Sequence, residues 1–289
     1  MRAPFAYYGG KSGLASEIAA MFPPHRVYIE PFFGSGAVFF AKPPAVHEIV
    51  NDLDGAVVAF FRCLRDRRGE LTEACALTPH ARAEFEAADM DAEDLDDLEL
   101  ARRFWVRVNQ SFAKTAGRQT GWSVTAARTQ SVPASVAGRI GRFAACASRL
   151  AAVSIESCDA AHLVRRLATP DAVIYADPPY LADTRRPRRA GSACADYRQD
   201  MGDPERHEDL AEALHATDAT VFLSGYHSPL YDGLYGDWDR IEWQTHAYSS
   251  NALRVNRGAR TEVLWSNRPL QRDPSLFDMP DLTREDNPR

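Results

Sequence analysis

Short apolar runs that end in an acidic residue alternate with amphipathic segments along this chain. Runs of this kind lie at residues 27–30, 48–54, 153–159 and 172–177, with a further apolar run at 220–224. Helical spacing of apolar residues predicts helices near residues 13–21, 37–41, 56–64, 100–112, 133–150, 160–167 and 207–215. Residues 240–247 and 261–266 are typical of two antiparallel strands. Strands alternating with helices predict an α/β fold.

The run at 172–176 ends in Asp177, Pro178, Pro179 and Tyr180. Two prolines fix two φ angles and forbid a continued strand, so the chain must turn sharply where ligands bind in open α/β sheets. The carboxylate and a proline carbonyl can accept two N–H bonds, and the ring can stack. The four residues therefore suit a planar base that carries an amino group, although an ordinary Pro-Pro turn is the alternative.

Two glycine turns lie near the amino terminus. Gly9 and Gly10 precede Lys11, which could meet a carboxylate, and a Gly34-Ser35-Gly36 turn separates a strand from a helix. Strand, glycine turn and helix is an arrangement typical of nucleotide binding, although the third glycine of the dinucleotide fingerprint is missing.

Acidic residues at the ends of the first two runs add to the nucleotide-binding pattern. Glu30 could receive an ammonium group, and Asp52 is placed to accept ribose hydroxyls. We expect Asp54 to cap the helix at 56–64.

The order of four motifs resembles the Dam-type (class alpha) family of adenine-N6 DNA methyltransferases. The motifs are YYGGK at 7–11, EPFFGSG at 30–36, NDLD at 51–54 and ADPPY at 176–180, and the resemblance covers residues 5–269 with a less similar middle segment. It implies a Rossmann-like, S-adenosylmethionine-dependent methyltransferase sheet, mostly parallel with a C-terminal antiparallel strand pair, plus a mainly helical target-recognition insertion. It also implies methyl transfer to the N6 amine of a flipped-out adenine in double-stranded DNA.

The resemblance also implies roles for individual residues. Tyr7, which replaces the more usual tryptophan, and Lys11 would touch the methionine end of the cofactor, and Asp159 would accept its adenine amine or cap the next helix. The catalytic residues would be Asp177, Pro178, Pro179 and Tyr180. The cofactor-binding residues would be Tyr7, Gly9, Gly10, Lys11, Glu30, Pro31, Phe33, Gly34, Ser35, Gly36, Asp52, Leu53, Asp159 and Asp177.

The distribution of charge suggests a DNA-facing surface. A formal net charge of −6 does not by itself indicate a nucleic-acid partner, but residues 100–155 contain no Asp or Glu and nine basic residues. A second basic run, residues 185–189, follows the Pro-Pro turn. The DNA-binding candidates are Asn109, Lys114, Arg118, Trp122, Arg128, Arg185 and Arg186. A phosphate contact or simple solvation is the commoner role for any single arginine.

These patterns predict the organisation of the chain. We expect a catalytic domain from residues 1–60 and 151–270, a DNA-binding insertion at 61–150, and a disordered tail at 271–289. In the tail, residues 273–277 loosely resemble peptides that dock on bacterial sliding clamps. Five scattered cysteines argue against disulfides and zinc, and no signal peptide or long apolar span is present. The sequence thus predicts a monomeric, cytoplasmic protein of bacterial or phage origin that needs no metal.

Three alternatives stay open. The first is cytosine-N4 methylation, for which serine is more usual at position 177. The second is methylation of RNA or of a protein amide, and asparagine would be usual there for the amide. The third is a non-catalytic DNA-binding module that kept the fold, against which the full set of expected carboxylates argues.

Overall fold

The structure is a computed structural model that describes residues 1–7, 9–111, 121–124, 131–179, 201, 203–245 and 260–270. Its strands are β1 (Val27–Glu30), β2 (His47–Asn51), β3 (Val153–Glu156), β4 (Ala172–Ala176), β5 (Thr220–Tyr226), β6 (Asp239–Thr245) and β7 (Arg260–Ser266). Its helices are α1 (Ala15–Ala20), α2 (Ala37–Ala41), α3 (Gly55–Asp66), α4 (Arg68–Leu77), α5 (Arg82–Ala87), α6 (Asp97–Gln110), α7 (Val132–Ile140), α8 (Phe143–Leu150), α9 (Ala160–Leu167), α10 (Pro204–His215) and α11 (Pro229–Leu234).

Seven strands of the described chain form one sheet in the order β3-β2-β1-β4-β5-β7-β6. The first five strands in that order are parallel, and β7 lies antiparallel between β5 and β6. The predicted fold class, a mostly parallel sheet with a C-terminal antiparallel pair, is confirmed. The order of the strands reverses between β1 and β4, which is where an open α/β sheet leaves a crevice.

Local sequence explains the elements that surround this crevice. All five residues of β4 are buried, as expected for a central parallel strand covered on both faces. The side chain of Asp54 accepts a hydrogen bond from the N–H of Ala56 at 3.0 Å, so its predicted role as the cap of α3 is confirmed.

The helices of the middle segment differ from the prediction. The single helix expected at 133–150 is wrong, because α7 ends at Ile140 and α8 begins at Phe143 after a turn at Gly141. Glycine disfavours helix, and Gly138 and Gly141 both lie near this break. Helix α6 begins earlier than expected because Asp96 accepts a hydrogen bond from Glu99 N–H at 2.7 Å. Helices α4, α5 and α11 were not predicted.

An aromatic cluster joins the middle helices to the sheet side of the protein. Phe60 of α3 stacks on Trp105 of α6, with ring centroids 6.0 Å apart, and Phe143 of α8 meets both rings edge-on. Phe5 packs on Phe60 and belongs to the same core cluster as buried residues of β1 and β4. One hydrophobic core therefore holds the segment 61–150 against the sheet, and its division as a separate domain stays a prediction.

In the part of the chain that the structure describes, no helix combines the length and the apolar character that a membrane crossing requires.

Candidate active site

Four acidic residues lie at one edge of the sheet. Glu30 ends β1, Asp52 follows β2, Asp159 comes shortly after β3, and Asp177 follows β4. Because these strands are parallel neighbours, their carboxyl ends meet at the same edge. The sequence prediction that the acids share a site is consistent with this topology.

A cavity that is partly open to solvent lies at this edge. Every predicted cofactor residue except Gly36 lines it, and the catalytic candidates Asp177 and Pro179 line it too. Pro178 does not line the cavity, and Tyr180 lies outside the described residues. The roles predicted for these residues stay predictions, but the cavity brings together fourteen predicted positions from five separate stretches of the chain.

The Gly34-Ser35-Gly36 turn has the backbone conformation that only glycine adopts readily. Gly34 and Gly36 have φ values of 49° and 66°. A Cβ on Gly36 would lie 2.6 Å from the ring of Phe33, so this glycine lets Phe33 pack under the turn. Gly36 therefore shapes the cavity through Phe33, without lining it.

Asp52 holds the turn in place. One carboxylate oxygen accepts the N–H of Gly34 at 2.8 Å, and the other accepts the N–H of Asp54 at 2.9 Å. Desolvation, opposed by these backbone hydrogen bonds, raises the pKa of Asp52 to about 7. The same carboxylate therefore orients the glycine turn and faces the cavity.

Asn51, which the sequence interpretation missed, ties three strand ends together. Its amide N–H₂ donates to the carbonyls of Pro31 at 2.9 Å and Cys158 at 3.0 Å. Its amide oxygen accepts the N–H of Cys158 at 2.9 Å. The sequence did contain a signal for this role, because Asn51 is a polar residue at the buried end of β2, beside the predicted Asp52.

Glu30 is buried and lines the cavity. The hydroxyl of Tyr28 donates to its carboxylate at 2.6 Å. Desolvation raises the pKa of Glu30 to about 8, although the hydrogen bond from Tyr28 opposes this shift. The carboxyl group is therefore held mostly protonated at neutral pH before any cation binds.

Lys11, which lines the cavity, contacts two carboxylates. Its ammonium lies 2.7 Å from Asp177 Oδ1 and 3.6 Å from Glu262 Oε2. Desolvation lowers the pKa of Lys11, but attraction by Asp177 and Glu262 outweighs it and the pKa is raised. Burial raises the pKa of Asp177 to about 6 despite the opposing effect of Lys11. Glu262 lies on β7, outside every sequence motif, and no local pattern pointed to it.

The opposite wall of the cavity contains Asp159 and Arg206. Asp159 Oδ1 accepts the N–H of His162 at 3.0 Å and so caps α9, the second of its two predicted roles. Its other oxygen lies 3.8 Å from a guanidinium nitrogen of Arg206, on the first turn of α10. Arg206 and Met201, which also line the cavity, were not predicted.

Two of the seven DNA-binding candidates lie within the described residues. Asn109 is fully buried: its amide donates to the carbonyl of Trp105 at 2.9 Å and accepts from Arg139 at 2.6 Å. The structure therefore does not bring Asn109 to a surface, and it gives no support to a DNA contact there.

Trp122, the second described candidate, is half-buried. The Arg82 guanidinium lies 5.0 Å from the centre of its ring, and its indole N–H donates to Gln110 at 3.3 Å. Contact between Trp122 and DNA stays a prediction. Five candidates fall outside the described residues, namely Lys114, Arg118, Arg128, Arg185 and Arg186.

Among the residues that the structure describes, no group of three or more His, Cys, Asp and Glu side chains is placed to hold a metal ion. Cys63, Cys75, Cys146 and Cys158 are unpaired thiols.

Comparison with known proteins agrees with the geometry of the site. The family model of the D12 class N6 adenine-specific DNA methyltransferases matches residues 7–250. The type II methyltransferase M1.LlaDCHI of Lactococcus lactis subsp. cremoris is 26% identical over 280 residues, which cover 91% of this chain and 95% of that protein. The family match spans both glycine turns, all four acids of the cavity edge and the Pro-Pro turn. This chain belongs to the D12 class of adenine-specific DNA methyltransferases, enzymes that methylate the N6 amine of adenine in DNA.

Proposed function

We propose that the cavity holds S-adenosylmethionine beside a flipped-out adenine of double-stranded DNA, with Asp177 at the junction of the two. The observation that carries this proposal is the position of Asp177. Its carboxylate follows the carboxyl end of β4 and lines the same cavity as the glycine turn and Asp52. A group that acts on both the methyl donor and the acceptor base must lie at such a junction.

The residues that line the cavity fit the chemistry of this cofactor. A methionine end needs acceptors for its ammonium, and Glu30 supplies a buried carboxyl group. A ribose needs an acceptor for its hydroxyls, and Asp52 faces the cavity. An adenine needs an apolar wall, which the 38% exposed side chain of Leu53 offers at the cavity. We assign these three parts of the cofactor to those three residues.

Asp177 and the Pro178 carbonyl act on the target amine. The lone pair of this amine is delocalised into the adenine ring, which makes it a poor nucleophile. Two acceptors that bind its hydrogens favour a tetrahedral nitrogen and stabilise the positive charge that develops on it. Lys11 binds Asp177 Oδ1, and we assign Oδ2 to the amine. Stacking of Tyr180 on the base completes this proposal.

The bound sulfonium cofactor supplies an electrophilic methyl group. The protein's own contribution is to hold donor and acceptor in line, to exclude water and to stabilise the developing charge. An anionic Asp177 is required for this, because a protonated carboxyl accepts hydrogen bonds weakly.

The basic residues of the middle segment and of residues 185–189 would bind the DNA backbone. We propose a monomer that acts on duplex DNA in the cytoplasm of a bacterial or phage-infected cell. Because the relative from Lactococcus lactis is a type II methyltransferase, we further propose that this enzyme modifies one short site as part of a restriction-modification system. Docking of residues 273–277 on a sliding clamp is a separate proposal, which loss of clamp binding on deleting Leu276 and Phe277 would support.

Methylome sequencing of cells that express the protein tests the assignment. The wild type should create methyladenine at one sequence motif, and Asp177→Ala should remove it while DNA binding in a gel-shift assay is retained. Asp171→Ala, an exposed acid before β4, is the matched control and should methylate like the wild type.

Other outcomes would point elsewhere. Modified cytosine in place of adenine would indicate the N4 reaction, and full activity of Asp177→Ala would refute the assigned mechanism. No modified base, from a folded protein that binds S-adenosylmethionine in calorimetry, would favour RNA as the substrate. Absence of cofactor binding would favour a non-catalytic module.

A further inference from the structure

Glu262 reaches the active site from a part of the chain that none of the motifs covers. It lies in the middle of β7, opposite Tyr226 of β5 and Trp243 of β6. Its side chain is only 10% exposed. Burying a carboxylate is unfavourable unless a cation or several hydrogen bonds compensate. The buried carboxylate of Glu262 therefore needs a compensating partner, and the ammonium of Lys11 is such a partner.

Lys11 is shared between Glu262 and the catalytic carboxylate. The side chains of Lys11 and Asp177 are 5% and 18% exposed, so the three charged groups interact with little screening by water. The ammonium also donates to the carbonyl of Gly9 at 3.3 Å. An ammonium has three N–H donors, and contacts with two carboxylates and a carbonyl restrict how it can turn.

The charges of this triad matter for the proposed reaction. Lys11 and Asp177 alone would form a neutral pair, and a neutral pair stabilises a developing cation poorly. A second carboxylate brings the sum over the three side chains to −1. The negative potential then remains available at Asp177 while Lys11 keeps the carboxylate oriented.

We propose that Glu262 is a positioning residue for methyl transfer, acting through Lys11 on the orientation and charge of Asp177. This inference rests on the proposed function, because it needs Asp177 to accept the target amine. Glu262 itself touches neither the base nor the cofactor in this assignment.

The pH dependence of the reaction offers a readout that a purely structural residue would not change. Among the described residues, the groups that face Asp177 are Lys11 before α1, Glu262 on β7, Tyr175 on β4, Glu30 on β1 and Tyr231 on α11. Burial is the main cause of the raised pKa of Asp177, and repulsion by Glu262 adds to it. Replacing Glu262 with glutamine should therefore let Asp177 ionise at lower pH.

The experiment compares Glu262→Gln with Glu242→Gln in methyl transfer to DNA from labelled S-adenosylmethionine, between pH 5 and 8. Glu242 lies on the adjacent strand β6, where it pairs with His227 at the surface, and so is a matched control. For Glu262→Gln we expect kcat to fall by about tenfold or more, and the acid limb of kcat/KM to move to lower pH. The Kd for S-adenosylmethionine should change by less than about threefold, since the effect is confined to the transition state.

A second pair of variants tests whether the effect passes through Lys11. In a Lys11→Met background, Glu262→Gln should add little to the loss of kcat, because neighbours that act as a unit are not additive. Multiplied losses would overturn the proposal. Unchanged kcat and an unmoved acid limb in Glu262→Gln would also overturn it, as would an equal loss in Glu242→Gln.

Two controls keep the test decisive. If Glu262→Gln does not fold, as judged by its melting temperature, Glu262→Asp takes its place; that variant keeps the charge at a longer distance and should lose activity partially. If the wild type itself transfers no methyl group to adenine, the proposed function has failed. If the wild type is active and Glu262→Gln matches it, only the proposed role of Glu262 has failed.

Discussion

Replacing Glu30 with glutamine should make the ligand-free protein progressively more stable relative to the wild type as the pH rises. Glu30 is 2% exposed, and desolvation raises its pKa from 4.5 to about 8. In the unfolded chain this carboxyl ionises near its ordinary pKa. Between these two values the folded state therefore binds the proton more tightly than the unfolded state does. The free energy of unfolding of the wild type accordingly decreases as the pH rises through this window.

The magnitude follows from the shift. One pKa unit corresponds to about 1.4 kcal/mol, so keeping Glu30 protonated costs about 1 kcal/mol at pH 5 and about 4 kcal/mol at pH 8. Glutamine is neutral at both values and avoids this cost. The difference in unfolding free energy between Glu30→Gln and the wild type should therefore grow by about 3 kcal/mol from pH 5 to pH 8. At roughly 2 °C per kcal/mol, the gap in melting temperature should widen by about 6 °C.

A constant offset is expected beneath this trend. The carboxyl group accepts hydrogen bonds from the hydroxyl of Tyr28 and the backbone N–H of Phe39. Glutamine offers one oxygen to these two donors, which costs about 1–3 kcal/mol at every pH. The raised pKa values of Asp52 and Asp177 occur in both proteins and cancel in the difference. Only the slope against pH therefore reports on Glu30.

Urea unfolding of both proteins at pH 5, 6, 7 and 8, without cofactor, measures this slope. Glu17→Gln, at an exposed position on α1, controls for removal of a carboxylate as such. A difference between Glu30→Gln and the wild type that stays constant from pH 5 to 8 would refute a protonated Glu30. In the wild type, calorimetry at pH 7 in buffers of different ionisation enthalpy should show proton release on cofactor binding, if Glu30 meets the ammonium.

Three further predictions concern the site and its support. The kcat/KM of the wild type should fall as the pH drops through about 6, because Asp177 must be ionised and burial raises its pKa to about 6; a pH–rate profile measures this. Gly36→Ala should destabilise the protein by about 1–3 kcal/mol in urea unfolding and weaken cofactor binding, since φ is 66° and the new methyl group would overlap the ring of Phe33. Arg149→Met should destabilise the protein by about 2–4 kcal/mol, because Arg149 binds the buried Glu48 through both terminal nitrogens. Arg67→Met, which breaks an exposed pair, should destabilise the protein much less in the same assay.

Each of these has a contradicting result. A flat pH–rate profile down to pH 5 would mean that Asp177 is not the group whose ionisation limits the reaction. Wild-type stability of Gly36→Ala would mean that the turn relaxes away from Phe33. Equal effects of the two arginine substitutions would mean that the buried contact between Arg149 and Glu48 contributes no more to stability than a surface ion pair does.

Local patterns in the sequence were sufficient to predict the sheet and many of the residues that line the cavity. An apolar run followed by an acid predicts both a strand and its ligand-facing end, because the strands are parallel and their carboxyl ends share an edge. The glycines that permit positive φ at positions 34 and 36, and the cap at Asp54, can be recognised from residues nearby in the chain. Features of this kind are decided by sterics and hydrogen bonds within a few residues.

The tertiary structure decided what depends on contacts between distant segments. Apolar spacing could not show the break between α7 and α8, because the same periodicity continues across Gly141. Asn109 has a polar side chain beside basic residues, yet packing of α6 against its neighbours buries it with Arg139. Glu262 meets Lys11 only because the antiparallel strand β7 returns beside β5. The charge around Asp177 is a sum over groups from three strands, one helix and a loop, and no local pattern contains that sum.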